Sequence, residues 1–403
     1  MFLGDSPAVD SFGRLRVSMP TYVFDGQLTY DLAPLIYEQS TTGSGATITH
    51  DATNRCASLD FSSSPLGSIA KFQTFEHFRY QAGRSQQIFI TFNFNGGVAS
   101  VSKDVGYWNG ANGGIFLRMN GTTPQFRIFS TTSQGDNLAS QSSWNLDKFD
   151  GTGASGKTLD FTKVQILVID FQALYVGRVR LGFDIDGVVY PAHEFKHANL
   201  VTYPYIASAN LPICARMFSS SVSPVTTSMD FICCSVISEG GSTSDLPAYH
   251  LTANGTVTAA NGAATHILSV RPKTTFNSIT NRSKFVLHSI NLLAGTNPVF
   301  WQLCAGQAIS GTTTFNDVNT AYSAFEYNTA GTVSGSPAIV LASGFLGSSA
   351  VNNASLDQNV SSRMPITLDA AGAVRALGTL TLLVTGVGGT SACQASFNWE
   401  EIR

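Results

Sequence analysis

The clearest alternation of apolar and polar positions lies between Leu159 and His197. From Val179 to Ile185, the residues Val179, Leu181, Phe183 and Ile185 alternate with Arg178, Arg180, Asp184 and Asp186, the period of two expected of a strand with one buried face. Asp186-Gly187 follows, and the apolar pattern resumes from Val188 to Phe195, which predicts a hairpin closed by a tight turn at positive φ. Upstream, Val164 to Phe171 is almost continuously apolar and rich in β-branched residues, as in a strand covered on both faces. Comparable runs precede it at Asn54 to Phe61, Ile69 to Tyr80, Gln86 to Phe94, Gly114 to Met119 and Gln125 to Ser130. Others follow at Ser283 to Leu293, Val299 to Cys304, Ala338 to Leu341, Thr379 to Thr385 and Ala395 to Trp399. Glycine- and asparagine-rich loops such as Asn95-Gly-Gly separate them. No stretch of strong helix formers carries apolar spacing of three and four. The pattern predicts an all-β protein of two β-sandwich or jelly-roll-like domains.

Two segments break the rhythm. Residues 1–30 hold Phe12, Arg14, Leu15 and Arg16, too apolar for a solvated tail and too short for a core, so they predict an extended amino-terminal arm. Such an arm packs either on its own chain or on a neighbouring subunit. Ser238 to Pro247 is small, polar and aperiodic, which marks a linker. The expected organisation is an arm over 1–30, a sandwich over 31–238, a linker over 239–247 and a second sandwich over 248–403.

Composition narrows the function classes. Of 403 residues only 12% are charged and the net charge is −3, so no broad basic field for nucleic acid is present. Met1-Phe-Leu-Gly-Asp-Ser is too short an apolar run for a secretion signal, and the longest apolar runs are strand-sized, so neither export nor membrane insertion is expected. The six cysteines show no CxxC or zinc-ribbon spacing and predict free thiols, with Cys233 and Cys234 on opposite faces of one strand.

Two motifs imitate active sites. Gly151-Thr-Gly-Ala-Ser-Gly-Lys157-Thr158 matches a phosphate-cradling loop, and Ile166 to Asp170 imitates the apolar run and aspartate that hold magnesium. That chemistry needs a helix leaving the loop, whereas a strand begins about eight residues on, short of the dozen or more a parallel crossover requires. His193-Glu194-Phe195-Lys196-His197 resembles a zinc-protease motif, but four residues along a strand span about 13 Å, too far to share one ion. Asp184 with Asp186 reads as turn chemistry, and a calcium loop at Asp147 to Asp150 has only its two acids in favour. Phe72, Phe75, Phe78, Tyr80, Phe89, Phe92 and Phe94 fit core and sheet-face positions. No catalytic residue, metal or cofactor is expected.

Several strings resemble a family of virion structural proteins from tailed bacteriophages. They are Asp10-Ser-Phe-Gly-Arg-Leu-Arg-Val-Ser, Tyr80-Gln-Ala-Gly-Arg-Ser-Gln, Gln141-Ser-Ser-Trp-Asn-Leu-Asp-Lys, Asp150-Gly-Thr-Gly-Ala-Ser-Gly and Val176-Gly-Arg-Val-Arg-Leu-Gly-Phe. In the carboxyl half, Ser269-Val-Arg-Pro-Lys-Thr, Asn281-Arg-Ser-Lys-Phe, Pro365-Ile-Thr-Leu-Asp-Ala-Ala-Gly and Asn398-Trp-Glu-Glu-Ile-Arg403 resemble a domain that accompanies it. The resemblance implies a non-enzymatic fibre, collar or tail-associated protein, located on the virion and made in a host cytoplasm. Alternatives are a capsid decoration protein or a receptor- or glycan-binding module for host attachment. Its partners are then further copies, as a homotrimer or ring, other virion proteins, and a host surface glycan or receptor. Phe12, Arg14 and Arg16 are the candidate assembly residues, Phe12 as apolar anchor and the arginines as charge-assisted contacts. Salt bridging within one subunit is the alternative role for the arginines.

Overall fold

A computed structural model describes residues 9–16, 20–172, 174–239, 249–337, 339–348, 351–355 and 366–402. The chain divides into two compact units, residues 1–243 and 244–403. The regular secondary structure of the described residues is all β apart from one short 3-10 turn.

The strands of the first unit are β1 (Pro20–Gln27), β2 (Tyr37–Thr42), β3 (Ala46–Asp51), β4 (Cys56–Ser64), β5 (Ile69–Thr74), β6 (Phe78–Arg79), β7 (Ser85–Asn93), β8 (Val101–Asn109) and β9 (Gly113–Asn120). They continue with β10 (Thr123–Phe129), β11 (Asn137–Ser140), β12 (Gln165–Phe171), β13 (Val179–Ile185), β14 (Val188–Phe195), β15 (Asn210–Leu211), β16 (Ile213–Ser219) and β17 (Val225–Glu239). One antiparallel sheet runs β14-β13-β12-β7-β17-β4-β3, and a second runs β11-β10-β9-β8-β16-β5-β2. Alternate residues of each contribute to a single core: Leu59, Ile88, Ile90, Phe92, Leu167, Ile169, Leu181, Phe183 and Phe231 from the first, Phe72, Val105, Tyr107, Leu117, Phe126 and Met217 from the second. The unit is a β-sandwich.

The hairpin predicted at Asp186-Gly187 joins β13 to β14. Both turn residues have positive φ, 56° and 80°, and Asp184 Oδ1 accepts the Gly187 N–H at 2.9 Å, which accounts for the paired acids there. A buried cation closes one end of the core: the Lys103 ammonium, on β8, donates to the carbonyls of Phe94, Gly96 and Ser228 at 2.5, 2.9 and 2.7 Å.

Two predicted boundaries require correction. β1 lies inside the expected arm yet is an integral strand, paired with β17 from Pro20↔Glu239 to Gln27↔Cys233. β17 is bordered by β7 on one side and by β4 and then β1 on the other. Phe24 of β1 packs against Tyr37 and Phe78, so the first unit's core begins before residue 31. Likewise Ser238 and Glu239, read as the start of the linker, end β17 and are buried. Their polarity serves hydrogen bonding and an ion pair rather than solvation. Residues 240–247 lie outside the described part of the chain. All six cysteines are free; Cys234 is buried, while Cys233 lies beside the Thr91 hydroxyl at 3.3 Å.

The second unit has one sheet of Tyr249–Ala259, Ser391–Ile402, Lys284–Ala294 and Val351–Ser355, and another of Asn316–Asp317, Phe325–Asn328, Thr265–Pro272, Leu380–Gly386, Val299–Ala305 and Ile339–Leu346. Leu268, Leu287, Leu303, Phe325, Leu382, Phe397 and Trp399 lie in its core. The closing strand, Ser391–Ile402, pairs on both sides. It is also pinned by the buried Glu401 carboxylate, which accepts the Ser323 hydroxyl at 2.7 Å, the Ala324 N–H at 2.9 Å and the Trp399 indole N–H at 3.2 Å.

Candidate functional site

The amino-terminal segment is folded by its own sequence. Asp10 Oδ1 accepts the N–H groups of Phe12 and Arg14, each at 2.9 Å, and Oδ2 accepts Arg14 Nε at 2.8 Å. Gly13 supplies the left-handed residue of this turn, with φ 78°. A Val9–Leu15 bridge closes it. The short aspartate and the glycine make Asp-Ser-Phe-Gly-Arg a self-capping loop rather than an extended arm.

This loop is clamped to the end of the first sheet. Arg16 donates Nη1 to Glu239 Oε1 at 2.6 Å, Nε to the Val9 carbonyl at 3.2 Å and Nη2 to Asp170. Asp170 also accepts the Ser85 hydroxyl at 2.7 Å, and both carboxylates are almost wholly shielded from solvent. Arg178 donates to the Asp10 carbonyl at 3.2 Å and lies 3.6 Å from Glu194; Lys196 pairs with the same Glu194 at 2.6 Å. Arg14 also reaches the Gly83 carbonyl at 3.4 Å. Three strings far apart in sequence, at residues 10–16, 80–86 and 176–180, therefore converge on one latch.

Phe12, Arg14 and Arg16 are thus brought together, and the arginines take the intrachain role. Arg16 is largely covered, whereas Arg14 is 51% exposed and stacks on the half-buried Phe12 ring at 4.8 Å. Sequence reasoning missed the partners Asp170 and Glu239. A lone acid closing the apolar run Ile166 to Asp170, with no turn beside it, was the available signal for the first.

The phosphate-loop look-alike is occupied by the protein itself. Asp147 Oδ1 accepts the Phe149 N–H at 2.8 Å and Oδ2 accepts the Ser155 N–H at 2.6 Å. The N–H groups of Gly151 and Gly156 go to the carbonyls of Lys157 and Gly153, and an Asp150–Thr158 bridge returns the chain to an extended course. An internal carboxylate holds the place of an anion, and no helix follows. Asp150 is likewise engaged by Thr152, which accounts for the acids of the calcium reading.

His193 and His197 are built into the scaffold. His193 Nδ1 accepts the Asn145 N–H at 3.2 Å, and burial pushes its pKa down to about 4. His197 stacks on Tyr205 at 4.2 Å, donates Nδ1–H to the Gly177 carbonyl at 2.9 Å and accepts Asn137 Nδ2–H at Nε2. Burial lowers its pKa as well. Both rings are neutral packing elements, and among the described residues no group of three or more His, Cys, Asp or Glu is placed to hold a metal.

No protein-family profile and no curated protein matches the chain. Among solved structures it is similar to arcelin-5, a lectin-like defense protein from Phaseolus vulgaris, at 11% identity over 55% of this chain and 99% of that one, with a TM-score of 0.34. The Bacillus licheniformis β-glucanase is similar at 10% identity over 56% and 98%, TM-score 0.34. The winged bean acidic lectin complexed with methyl-α-D-galactose is similar at 11% over 55% and 99%, TM-score 0.34. Likenesses this faint bear on neither ligand nor activity.

Proposed function

We propose that the chain is a non-enzymatic structural component of a tailed-bacteriophage particle, an oligomeric fibre, collar or tail-associated protein. The observation that carries this reading is the latch. Three of the strings that resemble phage virion proteins, at residues 10–16, 80–86 and 176–180, meet where the amino-terminal segment is folded and fastened to the sandwich, a mechanical role. The motifs that suggested catalysis support the same reading, since Asp147 fills one and backbone groups engage the histidines of the other. The exposed flank of the latched loop, Arg14, Leu15 and the edge of Phe12, is the surface offered to a neighbouring copy or particle protein. Mass spectrometry of purified particles, with a density map to locate the protein, tests the reading. The chain is expected in stoichiometric, symmetric copies; intact particles without it would refute the assignment.

A further inference from the structure

The outward face of the sheet β11-β10-β9-β8-β16-β5-β2 carries a row of side chains that strand register places side by side. Ser40, Lys71, Arg216, Asp104, Arg118, Gln125 and Ser140 are successive cross-strand partners. Asp104 is the row's sole carboxylate, and its side chain is fully buried between two arginines. Arg118 grips it through Nε and Nη2 at 2.6 and 2.8 Å, Arg216 through Nε and Nη2 at 3.2 and 2.7 Å. Each guanidinium keeps its Nη1 edge free of any protein partner among the described residues.

The guanidinium planes are held rigidly. Arg216 stacks on Trp108 at 4.4 Å and Arg118 on Phe116 at 5.3 Å, while the two rings pack together at 4.8 Å. Gly106 and Gly114 lie opposite Phe116 and Trp108, and a Cβ at either would come within 2.5 Å of its partner strand. The rings themselves are buried; the surface above them is cationic, with Arg118 15% and Arg216 22% exposed.

Two features of this face go unrewarded within the fold. Lys71 stands directly across from Arg216, a like-charge pair that destabilises a sheet, and Lys71 has no ion pair or hydrogen bond among the described residues. Two residues along the same face, Gln73 is 2% exposed and its Nε2 is buried without an acceptor among the described residues. The acids nearest the row are Asp104, already shared, Glu38 beside Gln73, and Asp136, paired with Arg127 at 2.7 Å.

We infer that this face binds an acidic polysaccharide, its carboxylates seated between Lys71, Arg216 and Arg118. Charge complementarity supplies the anion, and preorganised guanidinium edges supply directed donors. The neutral rim of Ser40, Gln125 and Ser140 suits a hydroxyl-rich ligand, while the absence of an accessible aromatic anchor in the row disfavours a protein partner. The net charge of −3 disfavours nucleic acid. The inference stands whether or not the chain belongs to a particle.

The test is calorimetric titration of the full chain with polygalacturonate, neutral dextran, polyphosphate and duplex DNA. Saturable, salt-sensitive binding of polygalacturonate alone is expected. Lys71→Gln should weaken it about tenfold, the worth of one charged hydrogen bond, and should raise the unliganded thermal midpoint by removing the like-charge pair. Loss of binding together with a lowered midpoint would mean a folding defect and count against the inference. Failure of polygalacturonate to bind, equal binding of dextran, tighter binding of DNA or polyphosphate, or unchanged affinity of Lys71→Gln would each overturn it.

Discussion

Replacing Arg16 with methionine removes the cation that bridges Asp170 and Glu239 while keeping the bulk of its stem. Arg16 is 17% exposed and the two carboxylates 5% and 6%, so solvent screens the pair weakly. Stranding buried charge in this way costs about 3–5 kcal/mol. Asp170 keeps the Ser85 hydroxyl, which places the expectation near the lower end, at about 3 kcal/mol. For a unit of this size that corresponds to a midpoint lower by roughly 6–12 °C. Urea and thermal unfolding measure the loss, and hydrogen exchange at the Phe12 and Arg14 amides, which are bonded to Asp10, reports release of the loop. In a double-mutant cycle, Arg16→Met with Asp170→Asn should recover about 1–2 kcal/mol of the summed single losses. A single variant within about 0.5 kcal/mol of the wild type, or strictly additive losses, would refute the latch.

Three further outcomes follow from the described geometry. Because burial holds His193 near 4 while an unfolded histidine titrates near 6.5, the unfolded chain binds the extra proton first. Stability should fall by up to about 3 kcal/mol as pH drops from about 6.5 to about 4, and His193→Gln should flatten that slope in urea titrations. Lys103 follows the same sign in a higher window: burial brings it down from 10.5 to about 8, so between these values the unfolded chain again holds more protons. Wild type should therefore gain stability relative to Lys103→Met as pH rises through that window, measured by the same titrations. Gly106→Ala places a Cβ 2.5 Å from Phe116 Cα and should cost about 2–3 kcal/mol in chemical unfolding; a neutral effect would contradict the close approach of β8 and β9.

The sequence made the hairpin β13–β14 legible because β13 alternates on its apolar face from Val179 to Ile185 and the turn has its own chemistry, although a bulge shifts the register between Leu181 and Gly182. Strand β8 was not legible: Lys103, Asp104 and Gly106 interrupt the apolar pattern, although Lys103 points into the core end and Asp104 is buried under two arginines. Ser238 and Glu239 misled for the same reason, since a polar residue neutralised by a distant partner looks like loop in one dimension. Arg14 and Arg16 stood out beside Phe12 and Leu15, but Asp170 and Glu239 lie 154 and 223 residues from Arg16. No local pattern encodes a pairing at that separation. The cationic row on the second sheet escaped for the same reason, because only strand register brings Lys71, Arg216 and Arg118 abreast.

The register of β1 on β17 has a kinetic consequence. Pro20 meets Glu239, so the first strand has no seat until almost the whole first unit has emerged from the ribosome. Contacts of such separation close slowly, and until β1 docks, the half of β17 beyond β4 is paired with β7 alone, leaving one edge open to capture by another chain. Overexpression should therefore yield aggregates that diminish when translation is slowed or the culture is cooled, with the mature fold resistant once β1 has docked.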